Sequence, residues 1–168
     1  MSYQIEPSIA DRTHEELAKN LFHEGYNCAQ AVFAAFCEDM KLDRELALKL
    51  SSSFGGGMGR LREVCGAVSG MFMVAGVLYG YDDPKDQKGK TEHYQRIQEL
   101  AKEFQESNKS IICRELLGLQ EKSDNPTPEL RTEEYYKKRP CIELVGDAAK
   151  IIEKYIMEVK LDENCSNL

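Results

Sequence analysis

Hydrophobic residues recur along this chain at spacings of three and four residues, and this spacing predicts α-helices. The clearest pattern follows Asn27, which can cap a helix whose third residue, Gln30, completes a capping box. The apolar positions of that helix are Ala29, Val32, Phe33, Phe36, Cys37 and Met40. No segment alternates with the period of two that marks a strand. The predicted fold class is therefore all-α, a bundle-like domain of about six or seven helices.

Residues that favour helix ends divide the rest of the chain. A first helix is predicted over residues 8–24, and a third helix is expected to turn Leu46, Ala47 and Leu50 toward the core. The other expected start and stop positions are Gly25, Asp43, Asp83, Ser110, Gly118 and Pro140.

The segment 65–79 is almost entirely apolar or small, which predicts a central helix that is buried on all sides. Gly66 and Gly70 would let another helix approach it closely. The segment is too short to cross a bilayer, so no membrane insertion is expected. An apolar helix of this kind is compatible with a homodimer.

Composition and charge narrow the possible classes of protein. The 168 residues, 42% of them hydrophobic and 30% charged, fit one domain over 1–168, with a tail expected to fray from residue 162. The net charge of −7 would repel phosphate backbones, so no nucleic-acid partner is expected. The first residues contain no basic segment followed by an apolar one, and we therefore expect a cytoplasmic location.

The six cysteines are the main candidates for chemistry. In a reducing compartment, cysteines serve as thiols, metal ligands or redox groups more often than as structural disulfides. Four of them fall in the first turn of a predicted helix, where free N–H groups and the helix dipole favour a thiolate of lowered pKa. Their spacing also points each one inward, so we expect one shared site. These residues are Cys28, Cys65, Cys113 and Cys141.

The other cysteines fit simpler roles. A single cysteine commonly acts as a small hydrophobe, and this is our interpretation of Cys37, predicted to lie deep within its helix. Cys165 is predicted to be a free surface thiol in the tail. Basic residues near the shared site add positive potential, and these are Arg60, Arg62, Lys137, Lys138 and Arg139.

Two weaker features complete the set of candidates. The glycine-rich stretch 55–59 lacks the residues of a phosphate-binding loop and predicts a sharp turn. Within it, the backbone N–H groups of Gly56 and Gly57 could donate to sulfur or to a small anion, which makes them candidate cofactor-binding residues. The histidines are predicted to be solvated rather than ligating, and they are His14, His23 and His93.

Taken as a set, the cysteines and their neighbours resemble the redox-active protein family named for its C_GCAxxG_C_C elements. The matching segments are residues 25–32 (GYNCAQAV), 54–59 (FGGGMG), 65–70 (CGAVSG), 113–118 (CRELLG) and 139–141 (RPC). The resemblance implies a small redox-active protein, in a family where some members carry selenocysteine and some are encoded beside transporters. The chain is also similar to part of the split-Soret cytochromes, which are associated with an iron–sulfur cluster. It has no Cys-x-x-Cys-His segment, so no haem is expected.

Three functions stay open on the sequence. In the first, all four helix-start cysteines bind an iron–sulfur cluster or another thiophilic metal for electron transfer. In the second, the protein is a metal-free thiol–disulfide oxidoreductase that uses Cys28 and Cys65 as its catalytic pair. In the third, it is a non-catalytic helical binding module. The redox partner is not identified by any motif.

Overall fold

The computed structural model describes residues 12–120 and 125–166, and within them it contains helices and no strand. The all-α prediction is therefore confirmed. The elements are α1 (His14–His23), α2 (Cys28–Ala35), α3 (Cys37–Met40), α4 (Arg44–Ser51), a 3-10 turn (Ser52–Phe54), α5 (Gly55–Met58), α6 (Gly66–Tyr79), α7 (Gln87–Asn108), α8 (Cys113–Leu116), α9 (Glu133–Lys138) and α10 (Cys141–Ser166). None of these helices is both long and apolar enough to cross a membrane.

Local capping signals set the starts of the early helices. Asn27 accepts a hydrogen bond from the backbone of Gln30, whose side chain bonds back, so the predicted capping box is confirmed. Asp43 caps α4 through the backbone N–H of Leu46, also as predicted. The first helix begins at His14 rather than near residue 8, and residues 8–11 lie outside the described part of the chain.

The second predicted helix is interrupted at Phe36, which has non-helical backbone angles of φ −105° and ψ 15°. Its ring is fully buried and stacks on His14 with centroids 4.1 Å apart. We attribute the break to this packing, which overrides the helical pattern. Cys37 consequently begins the short helix α3, and the prediction that it lies deep within a helix is wrong.

Several other helix boundaries differ from the prediction. Asp86, rather than Asp83, caps α7, and Ser110 accepts from the backbone of Ile112 ahead of α8. The last helix continues to Ser166, beyond the fraying expected from residue 162. The short helix α9 was not predicted.

The core forms where α1, α2, α6 and α10 pack against one another. Close approach of α2 and α6 depends on Gly70, because an added Cβ would lie 2.8 Å from the carbonyl oxygen of Ala29. The expected role of the small residues in α6 is thus confirmed. The prediction that α6 is buried on all sides is wrong, because Val77 in its last turn is 48% exposed. Leu46 and Leu50 are likewise exposed, because α4 turns Ala47, Leu48 and Ser51 toward the protein interior instead.

One polar cluster joins three helices outside the cysteine region. The Nδ1 atom of His14 lies 2.6 Å from a carboxylate oxygen of Glu153, and its Nε2 atom lies 2.8 Å from Asp39. The prediction that His14 is solvated is therefore wrong. The stacking on Phe36 and two facing carboxylates hold its ring between α1, α3 and α10.

Candidate functional site

The four cysteines predicted to lie at helix starts line one cavity of about 110 Å³. Each comes from a different helix: three of them are the first residues of α2, α8 and α10, and the fourth is the residue before α6. Three are buried and Cys28 is half-buried. The predicted convergence is confirmed, and the lining cysteines are Cys28, Cys65, Cys113 and Cys141.

An isolated antiparallel bridge between Val64 and Ile112 fixes two of these cysteines side by side. The backbone N–H of Cys65 donates to the carbonyl of Ile111 at 2.8 Å, and that of Cys113 donates to Glu63 at 2.6 Å. A single bridge has no sequence periodicity, so the hydrophobic pattern did not predict it.

Glycines let the backbone approach the cavity closely. Gly57 has φ 71°, and an added Cβ would lie 2.6 Å from Cβ of Cys113. At Gly66 an added Cβ would lie 2.8 Å from the carbonyl of Phe54 and 3.1 Å from Cβ of Cys28. Gly56 and Gly57 both line the cavity, as the sequence suggested, while hydrogen bonding from them to sulfur or to an anion stays a prediction.

Cys28 and Cys141 form a hydrogen-bonded pair of thiols with opposite pKa shifts. The bond from Cys28 is the largest cause that lowers the pKa of Cys141 from 9.0 to about 7, and Arg139, Arg131 and Arg62 lower it further. The same bond raises the pKa of Cys28 well above 9.0. As pH rises, Cys141 is thus the member of the pair that loses its proton first, while Cys28 keeps its own.

The other two cavity cysteines are held neutral by burial. Burial raises the pKa of Cys65 to about 12, although the backbone N–H groups of Ala67 and Val68 act in the opposite direction. Burial also raises the pKa of Cys113, which Arg62 partly offsets. The sequence predicted a lowered pKa for all four cysteines from their helix starts. That prediction is wrong for three of them, because the pKa is raised at Cys28 mainly by the hydrogen bond with Cys141 and at Cys65 and Cys113 mainly by loss of hydration.

Arginines surround the thiols. Arg62 is only 4% exposed, and its Nη1 lies 3.8 Å from the sulfur of Cys113. Arg60 and Arg139 also line the cavity, as the sequence predicted, and both pair with Glu129. Lys137 and Lys138 do not line it and are exposed.

Arg131 and Tyr135 were missed by sequence analysis. Both line the cavity, and the Arg131 guanidinium lies 4.7 Å from the ring centroid of Tyr135 and 4.3 Å from that of Phe22. They belong to the segment after the predicted loop, where no hydrophobic period points to a buried site. The nearest signal was the Arg139-Pro140-Cys141 sequence that follows them.

The arrangement of the thiols also bears on the predicted metal site. Among residues 12–120 and 125–166, no group of three or more His, Cys, Asp or Glu side chains is placed so that it could hold a metal ion. The thiols line one cavity but do not form a coordination shell as they stand. Cys37 lies outside the cavity against the core, and Cys165 is exposed, as predicted.

The fold and the site together define a class, an all-α protein with a cavity lined by four cysteines from four helix starts. Residues 26–155 match the family described as "Putative redox-active protein (C_GCAxxG_C_C)", and the chain belongs to this family. Comparison with curated proteins and comparison with solved structures each found no match.

Proposed function

We propose that this protein is a thiol–disulfide oxidoreductase in which Cys141 attacks and Cys28 resolves. The observation that supports this assignment is that Cys28 and Cys141 line one cavity together with three arginines, Arg62, Arg131 and Arg139, whose charges favour a negative charge on the Cys141 sulfur. A thiolate is the nucleophile in disulfide exchange, and a thiol with a pKa near ambient pH attacks fastest.

The reaction balances with a disulfide as the only co-substrate. The Cys141 thiolate attacks one sulfur of a substrate disulfide, which forms a mixed disulfide and releases the other half as a thiolate. That leaving thiolate takes the proton of Cys28, and the Cys28 sulfur then attacks the sulfur of Cys141. The products are a Cys28–Cys141 disulfide, one substrate thiol and one substrate thiolate. Two electrons pass to the substrate, and a dithiol of a redox partner would return them.

The sequence predicts Cys28 and Cys65 as the catalytic pair of such an enzyme, whereas burial and charge favour Cys141 in place of Cys65. Cys65 is 4% exposed and has a pKa raised to about 12, so it is a neutral thiol at pH 7. Cys141 faces three arginines that stabilise its charge. We assign Cys65 and Cys113 to the wall of the cavity, where they keep the reacting pair away from water.

Turnover of a small neutral disulfide tests this function. Reduced protein, freed of reductant, is mixed with 2-hydroxyethyl disulfide, and the small thiol released into the protein-free filtrate is compared with that from Cys141→Ser, Cys28→Ser and Cys37→Ser. We expect activity in the wild type and in Cys37→Ser, the matched control outside the cavity. Cys141→Ser should be inactive, and Cys28→Ser should stop at the mixed disulfide. Equal rates in all four proteins would refute the assignment.

A four-thiolate metal or iron–sulfur site is the second candidate. One observation favours it, namely that all four cysteines line the same cavity. As placed, however, the thiols do not fit a coordination shell, so we derive no step through a metal or cluster. An ultraviolet–visible spectrum with iron and sulfide analysis, on protein purified without oxygen, separates the two candidates. Colour with bound iron and sulfide supports the cluster, and colourless iron-free protein supports the dithiol.

A further inference from the structure

Two arginines that line the cysteine cavity each have a buried nitrogen with no hydrogen-bond partner among the described residues. The Nε atom of Arg62 and the Nη1 atom of Arg131 are both buried and unpaired in the described part of the chain. Both side chains line the cavity that holds Cys141. A buried donor without a partner is costly, and a charged one more so, so such a group marks a place where a ligand completes the structure.

Arg62 and Arg131 differ from the other two arginines of the cavity in their ion pairs. Glu129 lines the cavity as well, and it pairs with both Arg60 and Arg139. No ion pair within the described residues involves Arg62 or Arg131, whose other contacts are a sulfur, a backbone carbonyl and aromatic rings. Two of the four cavity arginines therefore have no carboxylate partner among the described residues, and the Cys141 thiolate is the negative group that they face.

The backbone is arranged to hold Arg62 in this position. Arg62 has φ 61°, a left-handed conformation that is rare for a non-glycine residue, and it is 96% buried. Its backbone N–H donates to the carbonyl of Gly56 in α5, and Gly56 lines the same cavity. Strain of this kind persists where the surrounding structure and function require it.

We propose that the cavity recognises anionic substrates, with Arg62 and Arg131 binding a carboxylate or sulfonate group next to the sulfur that Cys141 attacks. This inference rests on the proposed function for its chemistry and adds the substrate class, a disulfide that carries a negative group. Arginine suits this role because its fork of N–H donors can bond two oxygens of one anionic group at once. The cavity of about 110 Å³ admits the charged end of such a molecule and is smaller than the ~300–1,000 Å³ of pockets that enclose a whole drug-sized ligand.

A charge-matched pair of alkylating reagents tests the proposal. Iodoacetate is anionic and iodoacetamide is neutral, and both alkylate thiolates by the same displacement of iodide. The rate at each cysteine is followed by peptide mass spectrometry, and Cys37 in the same molecule serves as the internal reference. We expect the iodoacetate-to-iodoacetamide rate ratio to be at least about tenfold higher at Cys141 than at Cys37. Equal ratios at the two positions would overturn the anion site.

Variants then assign the effect to the unpaired arginines. Arg62→Gln and Arg131→Gln should each lower the Cys141 ratio about tenfold, while Arg62→Lys should retain part of it. The control is Arg114→Gln, which removes a nearby positive charge that pairs with Glu63 and does not line the cavity. An equal fall in the control would show a general field effect and overturn the assignment.

A binding measurement keeps the proposal testable if Cys141 proves unreactive. Isothermal titration calorimetry with sodium sulfate at constant ionic strength uses the wild-type protein and needs no thiol chemistry. Sulfate binding that is lost in Arg62→Gln supports the anion site, even if the oxidoreductase assignment fails. Absence of sulfate binding in the wild type overturns the anion site, even if Cys141 reacts with neutral disulfides.

Discussion

Removing the thiol of Cys28 is expected to raise the pKa of Cys141. The hydrogen bond from Cys28 is the largest cause of the Cys141 pKa of about 7, and burial acts against it. Without the bond, the three arginines alone must offset burial. In Cys28→Ala we therefore expect the pKa to return to about 9, a change of about 3 kcal/mol in the stability of the thiolate.

The kinetic consequence combines two opposing effects. At pH 7, a rise of about two pKa units lowers the thiolate fraction about 50-fold. The more basic thiolate is intrinsically more nucleophilic, by about 6–10-fold at a Brønsted coefficient of about 0.4–0.5. Alkylation of Cys141 in Cys28→Ala should therefore slow about five- to eightfold at pH 7.

The assay is the pH dependence of iodoacetamide alkylation at Cys141, followed by peptide mass spectrometry. Because the thiolate is the reactive form, the wild-type rate should rise with pH around a midpoint of about 7. Cys28→Ser is the matched control, since its hydroxyl still donates a hydrogen bond and should keep most of the shift. A wild-type midpoint of about 9, or a midpoint unchanged in Cys28→Ala, would refute the reasoning.

Three further predictions concern how the cavity is built. Burial raises the pKa of Cys65 from 9.0 to about 12, so as pH rises this thiol ionises in the unfolded chain before it does so in the folded one. The free energy of unfolding should therefore fall by about 1 kcal/mol between pH 9 and pH 10. Urea titrations should show a smaller fall in Cys65→Ala. Gly57→Ala places a Cβ 2.6 Å from Cβ of Cys113 at a positive φ, and urea unfolding should show a loss of about 2–4 kcal/mol. The control Gly118→Ala has a positive φ with nothing within 4 Å and should lose only about 1–2 kcal/mol; equal losses would contradict the steric argument. Glu129→Gln removes partly exposed ion pairs to Arg60 and Arg139 worth about 1 kcal/mol together and leaves Arg139 free to stabilise the Cys141 thiolate. Cys141 alkylation should therefore rise by up to about fivefold, and a slower rate would contradict this reasoning.

Local signals made part of this structure predictable. The capping residues Asn27 and Asp43 act within three residues of their partners, and the sequence therefore predicted them correctly. The meeting of the four cysteines also followed from local information, because a helix start and an inward face each depend on neighbouring residues.

Long-range effects explain what the sequence did not predict. The contact of Cys28 with Cys141 joins α2 to α10, and nothing local indicates which cysteine Cys28 meets. The pKa directions at Cys65 and Cys113 depend on burial, which is a property of the packed core. Arg131 enters the cavity from a segment without regular structure, where periodicity carries no information.

Disulfide mapping after oxidation tests the central claim most directly. The reduced protein is treated with a slight excess of a small disulfide, excess reagent is removed, free thiols are blocked, and peptides are mapped by mass spectrometry. We expect a single intramolecular disulfide between Cys28 and Cys141. Cys65 and Cys113 should remain free thiols after oxidation and should carry the blocking reagent. A disulfide between Cys28 and Cys65, or four free thiols after oxidation, would contradict it.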